Sequence, residues 1–305
     1  MTKLSILSTL EQRQFDSPPK FSTDNRHLHF SLTKHDLMLI EKIRLPTNKV
    51  GFLLQLGYFK ANGKFFTVEQ FRPKDAEYVA RILSISNDNI NLISYKNKTP
   101  TDHRKQILAL LGWQPFNDIQ QQKIVDHLQW LTQKQLSPKH AFLAIIDFCW
   151  QNKIELPSSH VLSTLITDSY NNFEQELINI LTNKLTQHHR EKLDEWVGKT
   201  NKKSMQRPLI TLIKHVNQSL RPLDIQENVE AFKIFRESFY EFLPIIKELN
   251  LSDQATEYFA TWVQKSTAFQ LNQFSNKNKL YLHLISYIKH NFYYRHDVLI
   301  DILLK

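Results

Sequence analysis

With 305 residues, 41% of them apolar, the chain has material for two or three packed domains, and no apolar run is long enough to cross a membrane. Only five glycines occur and none are clustered, which excludes the phosphate-cradling loops of nucleotide-binding α/β folds. The net charge of +9 is uneven: residues 1–112 hold 17 basic against 10 acidic side chains, residues 113–198 hold 7 against 10, and residues 199–305 hold 15 against 10. A cationic front end suits a polyanion, because each phosphate contact releases counterions.

Low glycine with abundant Leu, Ile, Lys and Gln favours helices, so an all-α chain is expected. Residues 1–30 read as an irregular arm broken at Ser17-Pro18-Pro19. Thr33 and Asp36 form a predicted capping box for a helix carrying Leu37, Ile40 and Ile43, which Pro46 should end. Val50 to Phe59 is apolar on nearly every side and predicts a buried helix, followed by a turn at Asn62-Gly63. Ala76, Val79, Ala80 and Leu83 mark another helix, and Ile90 to Tyr95 a short one. Thr101 is expected to cap a helix that runs to Leu111 and stops at a left-handed Gly112. The first domain, 1–112, closes there, with Trp113 and Phe116 packing back on it.

A second helical domain is expected over 113–198. It contains an amphipathic helix at 117–133, a helix opened by Ser137-Pro138, a break at Leu156-Pro157-Ser158, and a helix from Thr186 to Val197 stopped by Gly198. Residues 198–207 hold four basic and no acidic side chains and form the linker candidate. Residues 199–305 read as this basic linker and a helical scaffold or dimerisation section, with patterns through Ile234, Phe239, Trp262, Leu284 and Ile288.

No His-Glu-x-x-His, Cys-x-x-Cys or Gly-x-Ser-x-Gly pattern is present, so no catalytic residue, metal or cofactor is assigned. Met1 to Leu10 has no basic start followed by an apolar block, so no signal peptide is expected. The single Cys149 has no internal disulfide partner, which fits a reducing cytoplasm.

Three basic groups are the candidate DNA contacts. Lys42, Arg44 and Lys49 flank a helix break and are placed to clamp phosphates. Lys96, Lys98 and Lys105 surround the start of the Thr101 helix, where exposed amides and the positive dipole end favour phosphate. On that helix His103, Arg104 and Gln106 are side chains able to reach base edges. Lys202, Lys203 and Arg207 sit in the linker candidate. For each group a solvated basic face is the competing reading. Tyr58, Phe59, Phe65 and Phe66 offer either a stacking platform for single strands or a core, and a core is preferred for aromatics around a buried helix.

The segments Leu32-Thr33-x-x-Asp36-Leu37-x-x-Ile40, Asn48-Lys49-Val50-Gly51-Phe52-x-x-Gln55-Leu56 and Gly63-Lys64-Phe65 follow one another in a familiar order. With Tyr78-Val79-Ala80, Asp102-His103, Leu110-Leu111-Gly112-Trp113-Gln114-Pro115-Phe116, Ile154-Glu155-Leu156-Pro157 and the final Asp297-x-Leu299-Ile300-Asp301-x-Leu303-Leu304, the chain resembles the N-terminal region of Tn-three family transposases, the TnA-type enzymes of replicative class II transposons. Pro100 and Thr101 stand where that family commonly has two arginines, and its arginine-rich stretch before Asn48 is reduced to Lys42 and Arg44. The resemblance implies helical domains that bind terminal inverted-repeat DNA, with metal-dependent catalytic carboxylates in a later domain. Binding without strand cleavage is therefore expected. The alternatives are a protein-interaction module that self-associates or docks on the transposase catalytic region, and a short transposase acting as a competitor or repressor.

Overall fold

The computed structural model describes residues 4–198, 208–214, 216 and 219–304. They form fifteen helices and no strand; a single parallel bridge joins Gln114 to Ile154. The fold is all-α. Contacts divide the chain into two compact units, the first built from residues up to 130 with 138–169, the second from 131–137 with 170 onwards.

The first unit is organised around one helix. It comprises α1 (Thr9–Phe15), α2 (Thr23–Phe30), α3 (Lys34–Glu41), α4 (Pro46–Asn62), α5 (Pro73–Ile82), α6 (Lys98–Leu111), the greater part of α7 (Asp118–Gln133), α8 (Pro138–Gln151) and the start of α9 (Ser159–Lys184). On α4, Val50, Phe52, Leu53, Leu54, Leu56 and Tyr58 are fully buried, as an all-round apolar helix must be. Its neighbours approach closely: a Cβ at Gly57 would lie 2.2 Å from the Phe30 ring of α2, and one at Gly51 would lie 2.7 Å from the Tyr95 ring. Buried charges around α4 are paired. Asp75 accepts from Arg26 Nε (2.8 Å) and from the Tyr58 hydroxyl (2.9 Å), and Asp36 accepts from Lys60 Nζ (3.1 Å).

Four local expectations are corrected. The arm at 1–30 contains α1 and α2: Ser8 and Glu11 make a reciprocal capping box, and Ser22 caps α2. Pro46 opens α4 at its first position instead of closing α3, which already ends at Glu41. Ile90 to Tyr95 is no α-helix but a 3-10 turn at Leu92–Ser94, preceded by another at Asn87–Asn89. Thr101 is not a cap, because α6 begins at Lys98 behind Asn97, whose φ is 63°. Pro100 is tolerated there because first-turn amides have no partner inside the helix. The Thr33–Asp36 box and the left-handed Gly112 are present as expected; Gly63 is also left-handed, and Thr186 lies outside its helix as the cap.

Residues 113–130 and 138–169 fall in the same compact unit as 1–112. Trp113 packs edge-on to Phe59 (5.0 Å), Leu156 N–H donates to the Gly63 carbonyl (2.8 Å), and Ser159 N–H donates to Asp16 (3.0 Å).

The second unit holds the rest of α9 with α10 (Gln187–Trp196), α11 (Leu209–Ile213), α12 (Pro222–Leu249), α13 (Asp253–Lys265), α14 (Ala268–Asn272) and α15 (Lys277–Leu303). Its core joins Leu181, Leu193 and Trp196 to Phe235, Phe242, Leu284, Tyr287 and Ile288. Among the described residues no helix is long and apolar enough to cross a membrane, and no cluster of three or more His, Cys, Asp or Glu could hold a metal.

Candidate nucleic-acid interface

The direction of α6 relative to α4 brings the first two basic groups together. Phe52 of α4 packs edge-on to His103 of α6 (5.1 Å), and further along both helices Phe59 packs on Trp113 (5.0 Å). The helices therefore run in the same direction. Lys98 lies five residues before His103 and Pro46 six before Phe52, so at about 1.5 Å per residue the two helix starts fall at one end of the unit within a turn of each other. The connection agrees: Thr47, in the first turn of α4, accepts from Asn91 N–H (3.2 Å) and donates to the Asn89 carbonyl (3.4 Å), in the segment leading to α6.

Lys42 and Arg44 are exposed in the α3–α4 connection, and Lys49 is half-buried on the first turn of α4. Lys96 and Lys98 are exposed at the start of α6. No side chain caps either helix start. Pro46 and Pro100 each lack an N–H, so on α6 the amides of Lys98 and Thr99 are the donors a helix leaves unpaired. Farther along α6, Lys105 is seven residues from Lys98 and so returns to nearly the same face, with Gln106 exposed beside it.

Two members of the predicted set sit elsewhere. His103 is a core side chain, 6% exposed, its Nδ1 2.8 Å from the Tyr95 hydroxyl. Burial pushes its imidazole down to about 4, so it is neutral at ordinary pH. Arg104 is half-buried, its guanidinium 5.2 Å from the centre of the Phe65 ring. Glu155 lies close enough to feel its charge. Burial raises the Glu155 carboxyl, while the Phe116 N–H donated to it and the Arg104 charge oppose that rise. Tyr58, Phe59 and Phe66 are core, with Phe65 stacked on Phe59 at 4.5 Å. Lys202, Lys203 and Arg207 lie outside the described residues.

Sequence reasoning missed what adjoins these cations. Between the first two turns of α6, residues 66–69 and residues 92–96 lies an open cavity of about 650 Å3. Gln55 is part of its wall, and this residue is the one amide in the apolar run from Val50 to Phe59, a signal present in the sequence.

A helical unit with cations gathered at two parallel helix starts fits a nucleic-acid-binding module. Residues 6–168 match the model of a domain of unknown function, DUF4158, and the chain belongs to that family. It is also similar to the transposase for transposon Tn1546 of Enterococcus faecium, 25% identical over 167 residues, covering 54% of this chain and 17% of that protein. It shares 23% identity over 196 residues with the transposase for Tn21 and 24% over 197 with that for Tn3926, both of Escherichia coli, in each case 64% of this chain and 20% of the relative. The chain is thus transposase-related and similar to the N-terminal region of Tn-three type enzymes, and the matched stretch spans about a fifth of their length.

Proposed function

We propose that the chain binds double-stranded DNA as the non-catalytic N-terminal part of a transposase and recognises the terminal inverted repeat of its element. The observation that carries this reading is the shared end of α4 and α6, where Lys42, Arg44, Lys49, Lys96 and Lys98 surround two uncapped helix starts. Phosphates are held at such ends by cations and amides together. Sequence is read from the exposed face of α6, with Gln106 suited to an adenine edge and Lys105 to a guanine edge or a phosphate. Arg104 supports this face from Phe65. The test is affinity for a terminal-repeat duplex and a random duplex across several salt concentrations. Binding should weaken steeply with salt and favour the repeat; equal, salt-insensitive affinities sink the reading.

A protein-interaction role is favoured by one separate feature. Tyr240 on α12 and Tyr293 and Tyr294 on α15 are exposed in the second unit, beside the Phe239–Phe292 stack at 4.1 Å. Sedimentation at high salt separates the two: a mass that rises with concentration supports self-association through apolar surface, whereas a constant monomer mass opposes it.

A further inference from the structure

The cavity beside α6 has the lining of a pocket and not of a packing fault. Phe66, Val68, Leu92, Tyr95 and Pro100 make its walls apolar, while Lys96 and Thr101 stand on it at the start of α6. Ile93, another lining residue, is 81% exposed, an apolar side chain held at the rim in water.

One polar atom in this wall has no partner. Gln55 is 1% exposed; its Nε2 donates to the Phe66 carbonyl (3.0 Å), which fixes the amide orientation and leaves Oε1 buried without a donor. Buried polar atoms are nearly always paired, so the orphan acceptor of Gln55, in the wall of this cavity, calls for a ligand that supplies a donor. Apolar walls with a few convergent polar groups are the usual make-up of a small-ligand site.

We propose that this cavity receives one unstacked nucleotide of the bound DNA. Its phosphate lies at Lys96 and the amides of Lys98 and Thr99, and its base enters between the apolar walls. Every nucleobase carries a hydrogen-bond donor, a ring N–H or an amino group, from which Gln55 Oε1 accepts. The apolar walls replace the stacking that the base loses on leaving the helix. This inference rests on the DNA-binding reading above and adds to it a site for a base outside the duplex.

The experiment compares two duplexes that differ only by one extra, unpaired 2-aminopurine in one strand, each titrated with the full chain. The bulged duplex should bind about tenfold more tightly, and the 2-aminopurine fluorescence should change on binding. Val68→Trp, which fills the cavity from its half-buried wall, and Ile93→Asp, at the exposed rim, should abolish the preference and leave affinity for the perfect duplex unchanged. Gln55→Leu should reduce the preference, with circular dichroism confirming that each variant is folded. If both duplexes bind equally and the fluorescence does not move, the cavity proposal is overturned while DNA binding stands. If neither duplex binds, both readings fall. A preference that survives Val68→Trp and Ile93→Asp in folded protein places the bulge elsewhere and also overturns the proposal.

Discussion

Gly57 and His103 show single side chains deciding what the first unit can tolerate. The space at Gly57 is filled by the Phe30 ring, with 2.2 Å to a hypothetical Cβ. Phe30 is itself fully buried against Tyr58 and Phe21, so it has nowhere to retreat. Gly57→Ala would ordinarily favour a helix, yet here overpacking should dominate, at a cost of about 1–3 kcal/mol. A lower thermal midpoint is the expected outcome, and an unchanged or raised midpoint would contradict the packing described. His103 gives a pH dependence. Its folded value of about 4 lies below the ordinary value of 6.5, so the folded protein binds fewer protons than the unfolded chain between those limits. The stability from keeping it neutral is complete above about 6.5 and is lost as pH falls towards 4. Melts at pH 7.5 and pH 5 should therefore differ more for the wild type than for His103→Asn. An equal drop in both would show that other groups carry the effect.

At the scale of elements, legibility follows from how much apolar surface each helix buries. The α4 helix was readable because its apolar residues cover all sides. The α1 helix was not, because none of its residues is buried and its seven residues carry no apolar stripe; only the Ser8–Glu11 spacing announces it. On α6 the stripe was visible as Ile107 and Leu108, but His103 stands four residues before Ile107 and so on the same face. Periodicity thus places His103 inside, and its chemistry alone suggested base reading. The cations were legible as charge, whereas the convergence of Lys42, Arg44 and Lys49 with Lys96 and Lys98 depends on α4 and α6 being parallel, which a spacing cannot reveal. Under the proposed DNA-binding reading, affinity belongs to the helix starts and not to the α6 core. Lys98→Ala should lower affinity for repeat and random duplexes alike and reduce the salt slope by about one. Gln106→Ala should instead cost about 1–3 kcal/mol on the repeat alone if it reads a base. Loss of repeat preference in Lys98→Ala, with none in Gln106→Ala, would reverse these roles.

For the whole molecule, the sequence suggests a break at the basic run 198–207, and the core around it makes a different demand on what a break would do. Residues 199–207 lie outside the described residues, but the helices on either side belong to one unit. Before the run, Leu181, Leu193, Trp196 and Val197 are buried; after it, Phe235, Phe239, Leu284 and Tyr287 complete the same core. Trp196 meets Phe235 at 5.2 Å and Tyr287 at 6.4 Å. Polar contacts repeat the link: Lys192 donates to Glu241 (2.8 Å) and the Tyr281 hydroxyl donates to Asp194 (3.1 Å). Each large apolar side chain in this core contributes about 1.5–3 kcal/mol through burial, and the contacts span the run whether or not the backbone is intact. Trypsin has three sites in the run, after Lys199, Lys202 and Lys203, because Pro208 protects the bond after Arg207. After cleavage there, the two fragments should still elute together from a native sizing column and separate only in denaturant. Were 113–198 and 199–305 independent domains joined by a linker, the fragments would part in buffer alone. Two native peaks after a single nick would therefore restore the three-part division and overturn the shared core.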